Sequence, residues 1–176
     1  MSDPPSFALR LGAGAAVGLG VSPASVAPGV TMDMGLRWLR SAPLSLAIEG
    51  RAYPAATGVA ESGVARVTTA LYTGALVPCA HWRLVAHLEL AGCALVELGA
   101  LRVTSDAPHP APSTFAHAAA GVRGGIEVPL MDHLAWRAMG DALFTLWPSV
   151  VLVYGVRAWE TPLLSASFGL GAVASF

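Results

Sequence analysis

The sequence contains no lysine; its ten basic residues are all arginine, set against eleven acidic ones. With a net charge of −1 and no cluster of positive residues, it lacks the electrostatic footprint of a nucleic-acid-binding protein. Charge is scarce altogether. Charged residues make up 12% of the chain, about half the share usual in a soluble domain. Hydrophobic residues reach 55% and the mean hydropathy is +0.61, so a surface built from this composition is short of charge for water.

Long uninterrupted hydrophobic runs are also missing. A membrane-spanning helix needs about 20 predominantly apolar residues. The charge-free stretch from Leu11 to Met32 carries five glycines and two prolines, and the stretch from Ala142 to Val156 is broken by Pro148. A cleavable secretory signal is imitated by Arg10, the run Leu11 to Val21 and the small residues Ser25-Val26-Ala27. Asp3, however, stands where positive charge belongs, and the run alternates glycine with small residues. The stretch is therefore read as part of the folded unit, and a leader or a further domain is expected ahead of Met1. At 176 residues the chain has the length of one domain, expected to comprise a disordered segment 1–6 and a folded unit 7–176.

What is present is alternation. Successive strand side chains point to opposite faces, so a lipid-facing strand shows an apolar residue at every second position. The last segment does so most clearly, with Leu164, Ala166, Phe168, Leu170, Ala172, Ala174 and Phe176 against Ser165, Ser167, Gly169, Gly171, Val173 and Ser175. The second segment sets Val30, Met32, Met34, Leu36 and Trp38 against Thr31, Asp33, Gly35 and Arg37. The third places Leu44, Leu46 and Ile48 outward, with Ser45, Glu49, Arg51 and Tyr53 inward. The first opposes Phe7, Leu9, Leu11, Val17 and Leu19 to Arg10, Gly12, Gly14 and Gly18.

The fourth segment is softer; its apolar character puts Val67, Thr69, Leu71, Thr73 and Val77 outward against Arg66, Thr68, Tyr72 and Gly74. The fifth opposes His87, Glu89 and Glu97 to Leu88, Leu90, Val96 and Leu98, and the sixth and seventh carry Arg123, Glu127, Arg137 and Asp141 between apolar neighbours. A helical period does not produce this over so many segments. A soluble barrel with an apolar lumen would show polar residues outside, and the polar set here is too small to cover an outer surface. The expected fold is therefore an all-β, eight-stranded antiparallel up-and-down transmembrane barrel with its charges in the lumen.

Breaks between segments alternate short and long, the turn-and-loop asymmetry of outer-membrane barrels. Arg40 to Pro43, Pro78 to Arg83 and Met131 to His133 are tight; Gly20 to Ala27, Pro54 to Ser62 and Val103 to Thr114 are longer. The fourth long connection, Trp147 to Thr161, holds Val150-Val151-Leu152-Val153 followed by Tyr154-Gly155, as though the seventh and eighth strands continued into a hairpin turn. Aromatic residues favour both bilayer interfaces. Phe7, Trp38, Trp82, Trp136 and Phe176 fall at the short-turn side, and Tyr53, Phe115, Trp147 and Trp159 at the long-loop side.

The closing segment, with Phe168 and the terminal Phe176 on the lipid-facing phase, resembles the C-terminal signal by which outer-membrane barrels are recognised by their assembly machinery. From Phe7 to Phe176 the chain is similar to the small eight-stranded OmpA/OmpX-like class. Its Pro78-Cys79 and Gly92-Cys93 pairs resemble barrels from high-GC, myxobacterium-like genomes. The resemblance implies fold, outer-membrane location, contact with outer-membrane lipids and delivery by the assembly machinery. It implies no activity.

Cys79 and Cys93 are expected to pair as a disulfide in an oxidising compartment. Two free thiols remain the alternative, as does a zinc site with His81 and His87, whose spacing fits no standard pattern. Arg10, Arg37, Arg51, Arg66, Arg102, Arg123 and Arg137 are expected to pair inside the barrel with Asp33, Glu49, Glu89, Glu97, Glu127 and Asp141. An eight-stranded barrel is only wide enough for its own side chains, so these should fill the lumen, a conducting pore being the alternative. A lipid-modifying enzyme would need a nucleophile, a histidine and an orienting carboxylate. His87 and Glu89 lie on the fifth segment and Ser165 and Ser167 on the non-adjacent eighth. His117 falls near the outer rim and His109 in the Pro-rich stretch Ser105 to Pro112, so no catalytic set is expected. No cofactor or metal is expected either. The chain should be a monomer whose long loops are free to meet an extracellular ligand.

Overall fold

A computed structural model describes residues 7–38, 43–59, 66–85, 87–106, 112–153 and 156–176. Ten strands are assigned: β1 (Phe7–Leu19), β2 (Val26–Trp38), β3 (Leu44–Val59), β4 (Arg66–Val85), β5 (Leu88–Ser105), β6 (Ser113–Met131), β7 (Leu134–Thr145), β8 (Val150–Val153), β9 (Val156–Glu160) and β10 (Leu164–Ser175). Eight of them close a barrel in the order β1-β10-β7-β6-β5-β4-β3-β2, every neighbour antiparallel. Closure leaves no free edge. At the seam the terminal residue takes part: Phe176 N–H donates to Leu9 O at 2.9 Å and Leu9 N–H to Phe176 O at 3.0 Å. The expected disordered segment 1–6 lies outside the described residues, as do the centre of the Pro-rich stretch with His109 and residues 40–42 of the expected first tight turn.

The alternation translates into faces as expected for β1, β2, β3 and β10. Met32, Met34, Ile48, Leu170 and Phe168 are exposed outside, while Arg10, Asp33, Glu49, Arg51 and Ser167 are buried inside. Phe7, Trp38, Trp82, Trp136 and Phe176 are exposed at the short-turn end.

Strand β4 has the opposite phase to the one expected. Val67, Thr69, Leu71, Thr73, Ala75 and Val77 are buried in the lumen, and Arg66, Thr68, Tyr72 and Gly74 face outward. The reason is that the lumen beside β4 is apolar, around Ala75, Val77 and Leu95 at the level of the charges and throughout the loop-side half, so hydrophobicity does not mark the outer face there. The loop-side core joins Ala16, Ala27, Tyr53, Ala56, Val67, Leu71, Leu101 and Val103. Arg66 and Arg102, expected inside, are both exposed on the outer face near the loop end, on the phase that Val67, Leu101 and Val103 leave outward.

Pro78 to Arg83 is not a turn but the continuation of β4, which runs on to Val85. The ladder from β4 to β5 skips Val77 and Pro78 and resumes at Cys79 and Cys93 in the same register, as befits a proline with no N–H to give. His87, expected on the inner face, is exposed in the turn that follows. A register shift between Tyr53 and Ala56 marks a bulge at Pro54, past which β3 continues to Val59 inside the expected loop.

The fourth long connection is not an extension of the barrel strands. β8 and β9 form a separate two-stranded hairpin whose Val151, Ala158 and Trp159 pack into the apolar half of the lumen. Trp159 and Tyr53 are therefore buried, at 9% and 4% exposure, rather than members of an outer aromatic girdle; Trp147, Phe144 and Tyr72 are exposed on that side.

Candidate functional site

Below the apolar half, all eight barrel strands contribute polar side chains to two layers. In the middle layer Arg123 donates through Nε to Asp141 Oδ1 at 2.7 Å, and through Nη1 and Nη2 to the two Glu49 oxygens at 2.6 and 2.8 Å. Arg51 donates Nε to Glu49 Oε1 at 2.5 Å and lies 2.8 Å from Asp141 Oδ2 and 3.6 Å from Glu97 Oε2. Ser167 donates to Asp141 at 2.8 Å, and His117 Nε2 stands 3.2 Å from Glu97 Oε1. His117 is thus inside the lumen, not at the outer rim. Such burial is tolerable because each charge meets an opposite one.

The layer nearer the short turns pairs Arg10 with Glu127 at 2.6 Å, Arg37 with Glu89 at 2.8 Å and Arg137 with Asp33. The structure thus brings together every expected lumen charge except Arg66 and Arg102. It adds His81, expected in a turn, beside Ser45, expected on the inner face: Ser45 Oγ lies 2.8 Å from His81 Nε2, and His81 Nδ1 lies 2.8 Å from Glu89 Oε1. His81 shares the parity of Thr73 and Cys79 on β4, and correct phasing of that strand would have found it. Cys79 and Cys93 form a disulfide between directly paired residues of β4 and β5, on the lumen side and not in a turn.

Ser45, His81 and Glu89 have the connectivity of a nucleophile, base and orienting carboxylate. Their surroundings do not suit that chemistry. The adjoining cavity measures about 40 Å³, room for about three waters and not for an acyl substrate. The contact of His81 with Glu89 also lacks hydrogen-bond geometry, leaving Nδ1 and Oε1 buried without a hydrogen-bond partner. His81, Glu89 and Glu127 can each turn one ligand atom to a common point, these atoms lying within 4.8 Å of one another. The mouth at the short-turn end, about 170 Å³, reaches Arg10, Arg37, Glu89 and Glu127.

No family model and no curated protein matches the chain. Among solved structures it is similar to a major outer membrane protein of Thermus thermophilus, with 13% identity and a TM-score of 0.69 over 96% of this chain and 99% of that one. It is similar to Neisserial surface protein A, with 15% identity and a TM-score of 0.60 over 98% of each chain. The attachment invasion locus protein Ail of Yersinia pestis, solved with the heparin analogue sucrose octasulfate, matches at 9% identity and a TM-score of 0.61 over 98% of this chain and 100% of that one.

The fold is that of the small outer-membrane barrels. At these identities the likeness is one of fold, and it agrees with the OmpA/OmpX-like class.

Proposed function

We propose that the chain spans a bacterial outer membrane as a plugged barrel, acting as an anchor, a structural component or a presenter of its loop end to a ligand. The observation that carries this is the outward face of β4. From exposed Trp82 to exposed Tyr72 it reads Trp82, Ala80, Pro78, Leu76, Gly74, Tyr72. Ten residues of strand rise about 33 Å, and a tilt of about 40° reduces this to about 25 Å, the height of the apolar band of such barrels. Beyond Tyr72 the outer face turns polar with Thr68, Arg66 and, on β5, Arg102. The short-turn end faces the periplasm in this arrangement, and the exposure of Phe168 and Phe176, 59% and 70%, supports reading them as the signal for the assembly machinery.

Filling of the lumen supports a non-conducting, non-enzymatic role. Ion pairs occupy the periplasmic half, and the Trp159 side of the β8–β9 hairpin closes the other. The decisive experiment replaces Met32, 70% exposed, with arginine. In a membrane-embedded barrel the unfolding free energy from lipid should fall by about 2–4 kcal/mol, with normal heat-modifiable migration retained. A neutral result in lipid refutes membrane insertion of this face. Planar-bilayer recordings of the purified protein should show no reproducible single-channel steps; such steps would establish a narrow pore instead.

A further inference from the structure

His81, Glu89 and Glu127 converge from β4, β5 and β6, with one nitrogen and two carboxylate oxygens within 4.8 Å of one another. The imidazole is 3% exposed. Its Nε2 lies 2.8 Å from Ser45 Oγ and its Nδ1 2.8 Å from Glu89 Oε1; Nδ1 and Oε1 are buried and lack hydrogen-bond geometry to any partner. In the tautomer with Nε2–H donating to Ser45, two acceptors face each other away from water, a cost that a cation relieves; in the structure that cation is Arg37, whose Nη1 lies 2.8 Å from Glu89 Oε1.

We propose that these three side chains bind a divalent cation of the zinc class, with Ser45 as the residue that orients the imidazole. One imidazole nitrogen and two carboxylate oxygens make a donor set that zinc accepts, leaving a fourth position for water. A partner on the other ring nitrogen is what a metal-binding histidine ordinarily has. Unlike a substrate, a cation needs no more room than the structure offers.

Two arginines stand on the ligands, Arg10 on Glu127 at 2.6 Å and Arg37 on Glu89 at 2.8 Å. Arg37 is the one that yields. Its side chain is 22% exposed, more than those of Arg10, Arg51, Arg123 or Arg137, and it lines the short-turn mouth through which the ion enters. With Arg37 swung into that mouth, Arg10, Arg51, Arg123 and Arg137 face six lumen carboxylates, Asp33, Glu49, Glu89, Glu97, Glu127 and Asp141. A divalent ion then balances the four arginines against the six carboxylates.

The test uses the full chain in detergent, its fold monitored by heat-modifiable migration. Titration with Zn²⁺ by calorimetry and with Co²⁺ by visible absorption should show one ion per chain and tetrahedral Co²⁺ bands that Zn²⁺ removes. His81→Ala should abolish binding. Ser45→Ala should weaken it and Arg37→Gln tighten it, each about tenfold, the scale of effects from groups that hold metal ligands. Replacing exposed His87 and His133 by alanine should change nothing. Absence of stoichiometric binding by the folded protein overturns the proposal, as does binding that survives His81→Ala or disappears with the two surface histidines. The Arg37→Gln gain keeps the test decisive if His81→Ala fails to fold.

Discussion

Replacing Arg123 with methionine removes the cation that makes four hydrogen bonds to Glu49 and Asp141. Both carboxylates are buried, at 1% and 6% exposure, and Arg51 alone is left to serve them along with Glu97. Methionine fills most of the volume, so the loss is chiefly electrostatic. Removing one partner of a buried ion pair costs about 3–5 kcal/mol, and Arg123 is only 7% exposed, so solvent screening takes little from that figure. Denaturant unfolding in detergent micelles, followed by tryptophan fluorescence, measures it. Adding Asp141→Asn withdraws one of the stranded charges and should recover at least about 1 kcal/mol, within the usual range of coupling between contacting residues. A loss under about 1 kcal/mol for Arg123→Met, or a double variant less stable than the single one, refutes the idea of a joined ion cluster.

Replacing both cysteines by alanine opens a crosslink spanning 14 residues; the cost should approach but not exceed about 3 kcal/mol, because β4 and β5 pair over most of their length without it, and a thermal midpoint compared with and without reductant reads it. Trp159→Ala removes the largest hairpin side chain from the apolar core, a change of about 3–5 kcal/mol in a rigid core. Here it should appear mainly as faster hydrogen exchange and proteolysis between Trp147 and Thr161, with barrel migration unchanged; equal loss of protection in β2 and β3 would contradict a locally docked lid. Gly124→Ala should leave the melting temperature unchanged, because nothing lies within 4 Å of an added methyl. Gly121→Ala, three residues away on the same strand, should lower it, because the methyl would run into the Ala142 carbonyl oxygen and come within 2.9 Å of Leu143 Cα; equal melting temperatures would refute the packing argument.

Much of the barrel is legible in the sequence, and the departures on β4 share one cause. Period-two alternation identifies two faces of a strand but does not say which faces inward. In β1, β2, β3 and β10 the inner face carries Arg10, Asp33, Glu49 or Ser167, and polarity settles the matter. On β4 the inner face is Val67, Thr69, Leu71, Thr73 and Val77, and the outer face includes Arg66 and Thr68, so the same rule gives the wrong side. Pro78 compounded the error by imitating a turn, which hid Cys79 and His81 as inner residues of the same parity. With His81 misplaced, the cluster it makes with Ser45, Glu89 and Glu127 could not be read either. The Arg123 network was legible because its members interrupt strongly apolar segments, although which arginine meets which carboxylate depends on register between strands far apart in sequence.

The two halves of the lumen also explain why this barrel needs a hairpin outside its wall. A charged half closes itself, because long arginines reach across the barrel to carboxylates on opposite strands, as Arg10 of β1 does to Glu127 of β6 and Arg137 of β7 to Asp33 of β2. An apolar half of short residues does not. Ala16, Ala27, Ala56, Val67 and Val103 line the wall of the loop-side half, and the Tyr53 ring lies over Gly29 and Gly18 of that wall, which leaves the axis to whatever enters from above. The connection between β7 and β10 supplies Val151, Ala158 and Trp159 to that space, while its charged pair, Arg157 and Glu160, stays outside at 59% and 40% side-chain exposure. Had β8 and β9 extended the barrel wall, only every second side chain would have faced inward, and at a level above the space they now fill. Separation of the hairpin from the barrel sheet is therefore what lets an apolar lumen be closed to water at the loop end.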